Sequence, residues 1–384
     1  MNKSKKVFLI ELKTLEPVTI TSNKGKSKFI ESLKYIPASS ILGAVSRQVI
    51  LENIADGVGQ CSRILSPDVI PDCDNCKVTK CKYRILWKEK NLKLTHAVVG
   101  EWGIDALGVV NLQSIGVLRE KANGEGKRDL LLCLFVEQKE RLGRLRPRIL
   151  LDETINSSNY KKKPGDIVGH NIAGEDGAVE VEMIQFGRVS IDYKFKTSKE
   201  GQLYGFTAIK ERQKFRFIVV AQEELEDCFD SEVKIGAWKS RGMGLVKMRR
   251  VNSWNVEDYI EERSKQILTG FERINDVLRN YGIDGWYGTY TFLTDCTSKD
   301  IGFKQEYQIH RIRRLRRYER RNDGSYFILR DVILAGSVGV FSVNEPEENS
   351  QKLAEIEIKL VEEPWFDWIF FNHPVHYEKS SLEV

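Results

Sequence analysis

The chain has 384 residues, 41% of them hydrophobic, which is enough for two or three domains with their own cores and excludes a disordered tail or linker. The 60 basic and 55 acidic residues leave a net charge of only +5, so a polyanionic partner has to be inferred from clusters of charge. No stretch approaches the roughly 18 apolar residues that a membrane-spanning helix needs, and the apolar run near the N-terminus is short. We therefore expect a soluble, cytoplasmic protein without a membrane partner.

The first predicted element is a strand in KKVFLIELKTLEPVTIT. A polar loop follows it. Next, Pro37, Ser39 and Ser40 give helix-start signals ahead of an amphipathic run, which predicts a helix. The loop is the first of three basic segments, because its lysines alternate around a glycine: Lys24, Lys26 and Lys28.

Four of the seven cysteines lie close together in the pattern C-x11-C-x2-C-x4-C. Four thiolates complete the tetrahedral coordination of a structural Zn²⁺ ion and leave no open position for catalysis. We therefore predict a zinc site that stabilises an insertion with little core of its own. Two disulfides, or free cysteines in a loop, remain alternatives. The predicted ligands are Cys61, Cys73, Cys76 and Cys81.

Beyond the cysteines, strands are predicted in GVVNLQSIGVL, DLLLCLFVEQ, EVEMIQFGRVSIDYKF and KFRFIVVAQ. The polar, glycine-bearing stretch 152–178 lacks periodicity and is predicted to be a mobile loop. In the C-terminal part, apolar residues at helical spacing predict a long helix from about Val256 to Tyr281. Strands are then predicted in GWYGTYTFLTD, SYFILRDVILAGSVGVFSV and AEIEIKLV.

The second basic segment is the glycine-bearing stretch VKIGAWKSRGMGLVKMRR. A nucleotide-binding loop would lead into a helix, whereas this stretch leads into the alternating run LVKMRRV. The pattern predicts a loop between β-elements, with Lys239 and Arg241 beside exposed amides, which suits an extended phosphodiester backbone. The alternative is a tight hairpin whose basic residues form only a solvated face.

The third basic segment is QIHRIRRLRRYERR. Arginine forks match phosphate oxygens and stack on bases, so a run this dense indicates a polyanionic partner. The alternative is a charged helix or strand that pairs with acidic protein surfaces. If the three basic segments converge, they form a groove for single-stranded RNA. The arginines in question are Arg311, Arg313, Arg314, Arg316 and Arg317.

Several segments resemble a known family. ESLKYIPASSILGAVSRQV resembles the start of the first helix in RAMP superfamily proteins, the ferredoxin-like subunits of CRISPR effector complexes, and GAWKSRGMGLVKM resembles their glycine-rich loop. RVSIDYKFKTSKEGQLYGFTAIKERQKFRFIVV is similar to the central segment of the type III-D subunit that caps the 5′ tag of the guide RNA. DVILAGSVGVFSV resembles the C-terminal strand of that subunit.

The resemblance implies an α+β chain with two ferredoxin-like (RRM-like) domains built on antiparallel sheets. The first would span 1–252, with the cysteine-bearing insertion at 55–95 and the loop at 152–178. The second would span 253–384 and begin with the long helix. The implied function is that of a non-catalytic subunit of a type III (III-D-like) ribonucleoprotein that holds the repeat-derived 5′ tag of the crRNA. Its partners would be crRNA, target RNA indirectly, backbone RAMP subunits and the large signalling subunit.

The candidate RNA contacts combine this resemblance with the basic segments. Ser39 and Ser40 would offer hydroxyl and amide donors to phosphate at the start of the first helix, and Arg188 is a further candidate. The arginine run is included on charge alone. The remaining candidates are Lys24, Lys26, Lys28, Lys239, Ser240, Arg241, Gly242, Met243 and Gly244.

Two other functions compete with RNA capping. A metal-independent crRNA-processing endoribonuclease would use His170 or His310 as the general base, and metal-dependent cleavage would need a carboxylate such as Asp166 or Asp176. A protein-only scaffold would pair its basic segments with acidic partner surfaces, and its interactions would survive nuclease treatment.

Overall fold

A computed structural model gives the fold of the chain. No helix in the described part of the chain is long and apolar enough to span a bilayer. The structure describes residues 5–21, 29–57, 73, 76, 78, 81–87, 91–118, 127–141, 160–162, 171–172, 178–191, 198–297, 301–321, 324–361 and 363–378.

The described residues form both helices and strands. The helices are α1 (Ala38–Ala55), α2 (Lys82–Trp87), α3 (Leu131–Arg141), α4 (Val256–Asn280) and α5 (Pro346–Ile358). The strands are β1 (Lys5–Thr14), β2 (Phe29–Ile30), β3 (Leu92–Leu94), β4 (Val98–Val99), β5 (Ile115–Leu118), β6 (Lys127–Asp129), β7 (Tyr160–Lys162), β8 (Asn171–Ile172), β9 (Ala178–Val179), β10 (Met183–Ile191), β11 (Ser198–Ile209), β12 (Lys214–Gln222), β13 (Glu232–Lys234), β14 (Leu245–Asn255), β15 (Trp286–Phe292), β16 (Lys304–Ile309), β17 (Ile312–Arg321), β18 (Gly324–Ile333), β19 (Val338–Val343) and β20 (Ile369–Phe371).

The chain divides into two compact units. The N-terminal unit comprises Met1–Val99 and Glu180–Ser253, and the C-terminal unit comprises Gly100–Val179 and Trp254–Val384. The sequence-based domain boundary between 252 and 253 remains a prediction, and Gly100–Val179 belongs to the C-terminal compact unit. Buried polar contacts explain this grouping, because His373 Nε2 lies 2.6 Å from the Leu107 carbonyl oxygen.

The N-terminal unit is built on a sheet with the strand order β13-β14-β1-β12-β3, to which β4 adds at β12. Its central pair, β1 and β12, is antiparallel in continuous register from Lys5 opposite Gln222 to Lys13 opposite Lys214. Apolar side chains of α1 recur at helical spacing and are buried: Ile41, Leu42, Val45 and Val49. A smaller sheet, β10-β11-β2, combines an antiparallel hairpin with one short parallel pair.

The C-terminal unit is built on a sheet with the order β16-β19-β15-β20. Its core includes Ile267 and Phe271 of α4, Leu353 of α5, and Tyr290 and Phe341 of the sheet. Strands β17 and β18 form a separate two-stranded antiparallel ribbon. The segment Gly100–Val179 adds α3, the sheet β6-β5-β7 and the pair β8-β9.

The structure confirms a mixed α+β chain whose sheets are mainly antiparallel. The strand predicted in KFRFIVVAQ is β12, and the long predicted helix is α4. The arginine run forms a strand, β17.

Two strand predictions were wrong. DLLLCLFVEQ lies mostly in α3, whose first turn is stabilised by the Asp129 carboxylate, which accepts a hydrogen bond from the Leu131 N–H at 3.3 Å. AEIEIKLV lies mostly in α5. Its alternating pattern is misleading because Glu357, a charged residue, is fully buried and pairs with Arg263 of α4.

Candidate nucleic-acid interface

The glycine loop, Ile235–Gly244, joins the antiparallel strands β13 and β14. Backbone hydrogen bonds close it, because the Ile235 N–H donates to the Gly244 carbonyl at 2.8 Å. The loop also binds the segment that follows β1, since the Gly244 N–H donates to the Pro17 carbonyl at 2.9 Å and the Ala237 N–H donates to the Thr19 carbonyl at 2.9 Å. The sequence correctly predicted a loop between β-elements, and these hydrogen bonds hold the loop at both ends.

The tip of the loop presents two consecutive amides. Residues Lys239–Arg241 form a 3₁₀ turn, and Gly242 then adopts a left-handed conformation with φ 73° and ψ 37°. Within the described residues, neither the Gly242 N–H nor the Met243 N–H has a hydrogen-bond acceptor. A right-handed residue followed by a left-handed one turns successive N–H groups into one concavity that suits an anion. The side chains of Ser240 and Arg241 are exposed beside it.

Met243 has a different role from its neighbours. Its side chain is buried in a cluster with Phe206 and Ala208, so only its backbone is available to a ligand. Trp238 packs on Phe206, with ring centroids 3.9 Å apart. Lys239 is half-buried, and its carbonyl accepts a hydrogen bond from Lys234 Nζ at 3.1 Å. The aromatic cluster thus supports the loop from below.

Basic side chains cover one face of the sheet at the end where the glycine loop lies. The β1–β12 register sets Glu11 opposite Arg216, and alternation puts the neighbouring pair Lys13 and Lys214 on the same face. Strand β14 shares this face, because Arg249 Nη2 donates to Glu11 Oε1 at 3.3 Å. The basic sheet face is therefore composed of Lys13, Lys214, Arg216, Lys234, Lys247 and Arg249.

Glu11 lies among these cations and is nearly buried, with its side chain 9% exposed. Its carboxylate contacts Arg249 and also lies 3.9 Å from Lys214 Nζ. Strand β13 adds a second acid, Glu232, opposite Lys247. Two acids cannot neutralise six cations, so the face keeps a net positive charge that attracts polyanions. This face was not among the predicted basic segments. The signal lay in the alternation of KFRF and LVKMRR, which places Lys214 and Arg216 on one side of β12, and Lys247 and Arg249 on one side of β14.

The other candidates near the N-terminus are distributed differently. Ser39 is exposed and Ser40 half-buried at the start of α1, whose first amide, that of Ala38, donates to His96 Nδ1 at 3.1 Å. Within the described residues, no hydrogen bond or ring contact joins either serine to the glycine loop. Arg188 lies in β10 opposite Tyr204. The basic loop lies outside the described residues, with all its lysines: Lys24, Lys26 and Lys28.

The predicted arginine segment forms one strand of the β17–β18 ribbon in the C-terminal unit. Arg311, Arg313 and Arg314 are exposed at its base. Arg314 forms an exposed ion pair with Asp331, in which Nε lies 2.9 Å from Oδ1. The remaining two candidates lie further along β17 and pair in register with β18: Arg316 with Leu329 and Arg317 with Ile328. Because this ribbon and the glycine loop belong to different units, convergence of the basic segments remains a prediction.

Three cysteines of the predicted zinc site are among the described residues. Cys73 and Cys76 are half-buried, and the buried Cys81 Sγ accepts a hydrogen bond from Asn53 Nδ2 at 3.4 Å. Cys61 lies outside the described residues. Within the part that the structure describes, no three potential ligands lie close enough to hold a metal ion. The zinc site therefore remains a prediction.

Three of the four residues considered for catalysis lie outside the described part of the chain: His170, Asp166 and Asp176. His310 is half-buried at the end of β16, and its Nε2 lies 2.9 Å from the Tyr290 hydroxyl. Burial raises the pKa of Tyr290 well above its usual range. This tyrosine therefore stays protonated at neutral pH and orients the imidazole.

Substitution by alanine is expected to destabilise the protein more at Gly244 than at Gly242. A Cβ on Gly244 (φ 91°) would lie 2.3 Å from the Ile235 carbonyl oxygen, whereas a Cβ on Gly242 would meet nothing within 4 Å. Gly242→Ala should lower the free energy of unfolding by about 1 kcal/mol, because alanine is strained in the left-handed backbone conformation. Gly244→Ala should cost about 3 kcal/mol, because the clash with the hairpin backbone is added. Urea unfolding of both variants measures the difference, and equal losses would contradict the described loop geometry.

Comparisons with solved structures return chains of the type III-B Cmr-beta complex. One, from the complex bound to cognate target RNA and AMPPnP, is 13% identical, with a TM-score of 0.39, and 86% of each chain is covered. Another, from the complex bound to cognate target RNA, is 15% identical with a TM-score of 0.32 and covers 64% of this chain and 97% of its own. A chain of the apo state is 14% identical with a TM-score of 0.31, covering 65% and 98%.

No protein-family model and no curated protein matches the sequence. Identities of this size and TM-scores below 0.5 do not establish function, so the functional proposal rests on the residues described above.

Proposed function

We propose that this chain is a non-catalytic RNA-binding subunit of a type III, III-D-like CRISPR ribonucleoprotein and that it holds the repeat-derived 5′ tag of the crRNA. The observation that carries the proposal is the position of the glycine loop beside the basic sheet face. A phosphate in the concavity at Gly242 and Met243 would lie at the end of a strip of exposed cations. An extended phosphodiester chain needs this combination of amide donors and spaced positive charge.

The arrangement of the strands supports the same family. If β1, β3, β12 and β14 are numbered one to four along the chain, their order across the sheet is 4-1-3-2. The strands β15, β16, β19 and β20 give the same order in the C-terminal unit. This is the order of a ferredoxin-like sheet, and we therefore include two such domains in the proposal. A 3₁₀ segment, Glu223–Phe229, stands where the second helix of the first domain would be.

The proposed assembly includes the partners that the sequence resemblance implies, namely backbone RAMP subunits, the large signalling subunit and, indirectly, target RNA. The proposal also includes a cytoplasmic location and a structural zinc ion at the cysteine cluster. Four cysteine thiolates match the donors that Zn²⁺ prefers, and the ion would stabilise the insertion without taking part in RNA binding.

The decisive experiment measures the affinity of the full chain for a single-stranded RNA that carries the repeat-derived tag. The triple variant Arg241→Gln, Lys247→Gln, Arg249→Gln removes three exposed cations. We expect the affinity to fall at least about 10-fold and the slope of log K against log salt to decrease by about 2, because each phosphate contact on a single strand contributes about 0.7. Fluorescence anisotropy over a range of salt concentrations gives both quantities.

The matched control removes three exposed cations from the C-terminal unit instead: Lys265→Gln, Arg279→Gln and Lys359→Gln. It should bind as tightly as the unchanged chain. Equal losses in both variants would show a non-specific charge effect, and equal affinity for an unrelated RNA would remove the tag from the proposal. If the unchanged chain cleaves the RNA during incubation and the His310→Ala variant does not, the result would favour the processing endoribonuclease.

A further inference from the structure

We infer that the β17–β18 ribbon binds two separate single-stranded RNA segments, one on each of its faces. The inference rests on the proposed RNA-binding function and extends it to a second surface in the C-terminal unit. The ribbon is a sheet of only two strands, paired without interruption from Ile312 opposite Ile333 to Arg321 opposite Gly324. Because residues alternate between faces, a run of arginines cannot lie on one side of such a ribbon.

The register divides the charged residues between the two faces. Face A holds three arginines and one acid, and face B holds four arginines and one acid, so each face is cationic by itself. Face A comprises Arg314, Arg316, Tyr318 and Arg320 of β17, with Asp331 and Phe327 of β18 in register. Face B comprises Arg313, Arg317, Glu319 and Arg321 of β17, with Arg330 and Tyr326 of β18 in register.

The described side chains at the base agree with this division. Arg313 and Arg314 are neighbours on opposite faces and both are exposed. Arg314 is held by its contact with Asp331, and Arg330 Nη1 of face B lies 3.9 Å from Glu363 Oε1. The exposed pair of Arg314 and Asp331 stabilises little and exchanges readily with a phosphate, whereas the Glu363 side chain is only 18% exposed. Neither face loses its net positive charge to these acids.

RNA is the partner that this chemistry fits best. Each face combines arginine, which binds phosphate through a fork of donors, with at least one aromatic residue in register: Tyr318 opposite Phe327 on face A, and Tyr326 on face B. Single-stranded RNA offers phosphates and unstacked bases at a similar spacing, and base stacking on aromatic residues tolerates any sequence. An acidic protein would satisfy the arginines but would leave the aromatic residues without a specific partner.

The test counts RNA molecules per chain by native mass spectrometry with a short oligoribonucleotide. The full-length chain carries Arg241→Gln, Lys247→Gln and Arg249→Gln, which weakens RNA binding at the glycine loop and the basic sheet face. The RNA concentration is set so that this weakened site stays empty. Two RNA molecules are expected per chain. A face A variant (Arg314→Gln, Arg316→Gln, Arg320→Gln) and a face B variant (Arg313→Gln, Arg317→Gln, Arg321→Gln) should each bind one.

Controls separate this inference from the proposed function. The same substitutions to lysine keep the charge and should restore two molecules, which excludes misfolding as the cause of a loss. Substitution of Lys265, Arg279 and Lys359 by glutamine should leave two RNA molecules bound per chain. A single RNA that both face variants abolish would overturn the two-sided ribbon. No RNA on the ribbon, while the unsubstituted chain binds one at the glycine loop, overturns this inference alone. No RNA on the unsubstituted chain overturns the proposed function as well.

Discussion

Glu357→Ala is expected to lower the free energy of unfolding by about 3 to 5 kcal/mol, because it leaves a buried arginine without its counter-ion. The Arg263 guanidinium donates from Nε and Nη2 to the two carboxylate oxygens of Glu357, each at 2.9 Å, and both side chains are almost completely buried. Nη2 also donates to the Phe371 carbonyl at 2.7 Å, and Cζ lies 3.9 Å from the centre of the Phe370 ring. The pair thus joins α4, α5 and β20.

Urea unfolding measures this loss, and two further variants show its origin. Glu355→Ala removes an exposed carboxylate from the same helix and should change stability by less than about 0.5 kcal/mol. The double variant Arg263→Met, Glu357→Leu replaces both charges with apolar groups of similar volume and should recover much of the loss. If Glu357→Ala were no more harmful than Glu355→Ala, the buried pair would not hold these elements together.

The same pair shows why part of the fold was hidden from sequence reasoning. The alternation in AEIEIKLV is typical of a half-buried strand only if its glutamates face water. Glu357 is buried, and its partner is 94 residues away in the sequence. DLLLCLFVEQ presented a second ambiguity, because a continuous apolar run suits a buried helix as well as a buried strand. By contrast, β12 and α4 were predictable because local periodicity and burial agree there.

The candidate site was predictable to the extent that it is local. The left-handed Gly242 and the adjacent exposed Arg241 follow from a short glycine-bearing stretch. The basic sheet face required the register between β1 and β12, two strands about 200 residues apart in the sequence, before Lys13 and Lys214 became neighbours. The burial of Met243 against Phe206 is likewise a tertiary contact, so the sequence could not show that only the backbone of this candidate is available to RNA.

Two buried histidines are expected to make both units lose stability in mild acid. Burial lowers the pKa of His96 in the N-terminal unit to about 3, and burial is also the main cause that lowers the pKa of His373 in the C-terminal unit to about 3. The unfolded chain binds a proton at each histidine near pH 6.5, whereas the folded chain does not. Stability is therefore complete above about pH 6.5 and falls by up to about 1.4 kcal/mol per pH unit for each histidine until about pH 3.

A variant of His96 that keeps its hydrogen bond but cannot titrate tests this pH dependence. Its Nδ1 accepts from the Ala38 N–H at 3.1 Å, so it must remain unprotonated to hold the start of α1. His96→Asn supplies an amide oxygen near the same position without a titrating group. Unfolding in urea between pH 5 and 7 should show a smaller loss of stability in this variant, by about 2 kcal/mol at pH 5. The other titrating groups are the same in both proteins, so the difference between the two stability curves reports the titration of His96. Parallel stability curves for the two proteins would show that His96 also takes up its proton in the folded chain. The start of α1 would then have to depend on a contact other than the neutral imidazole.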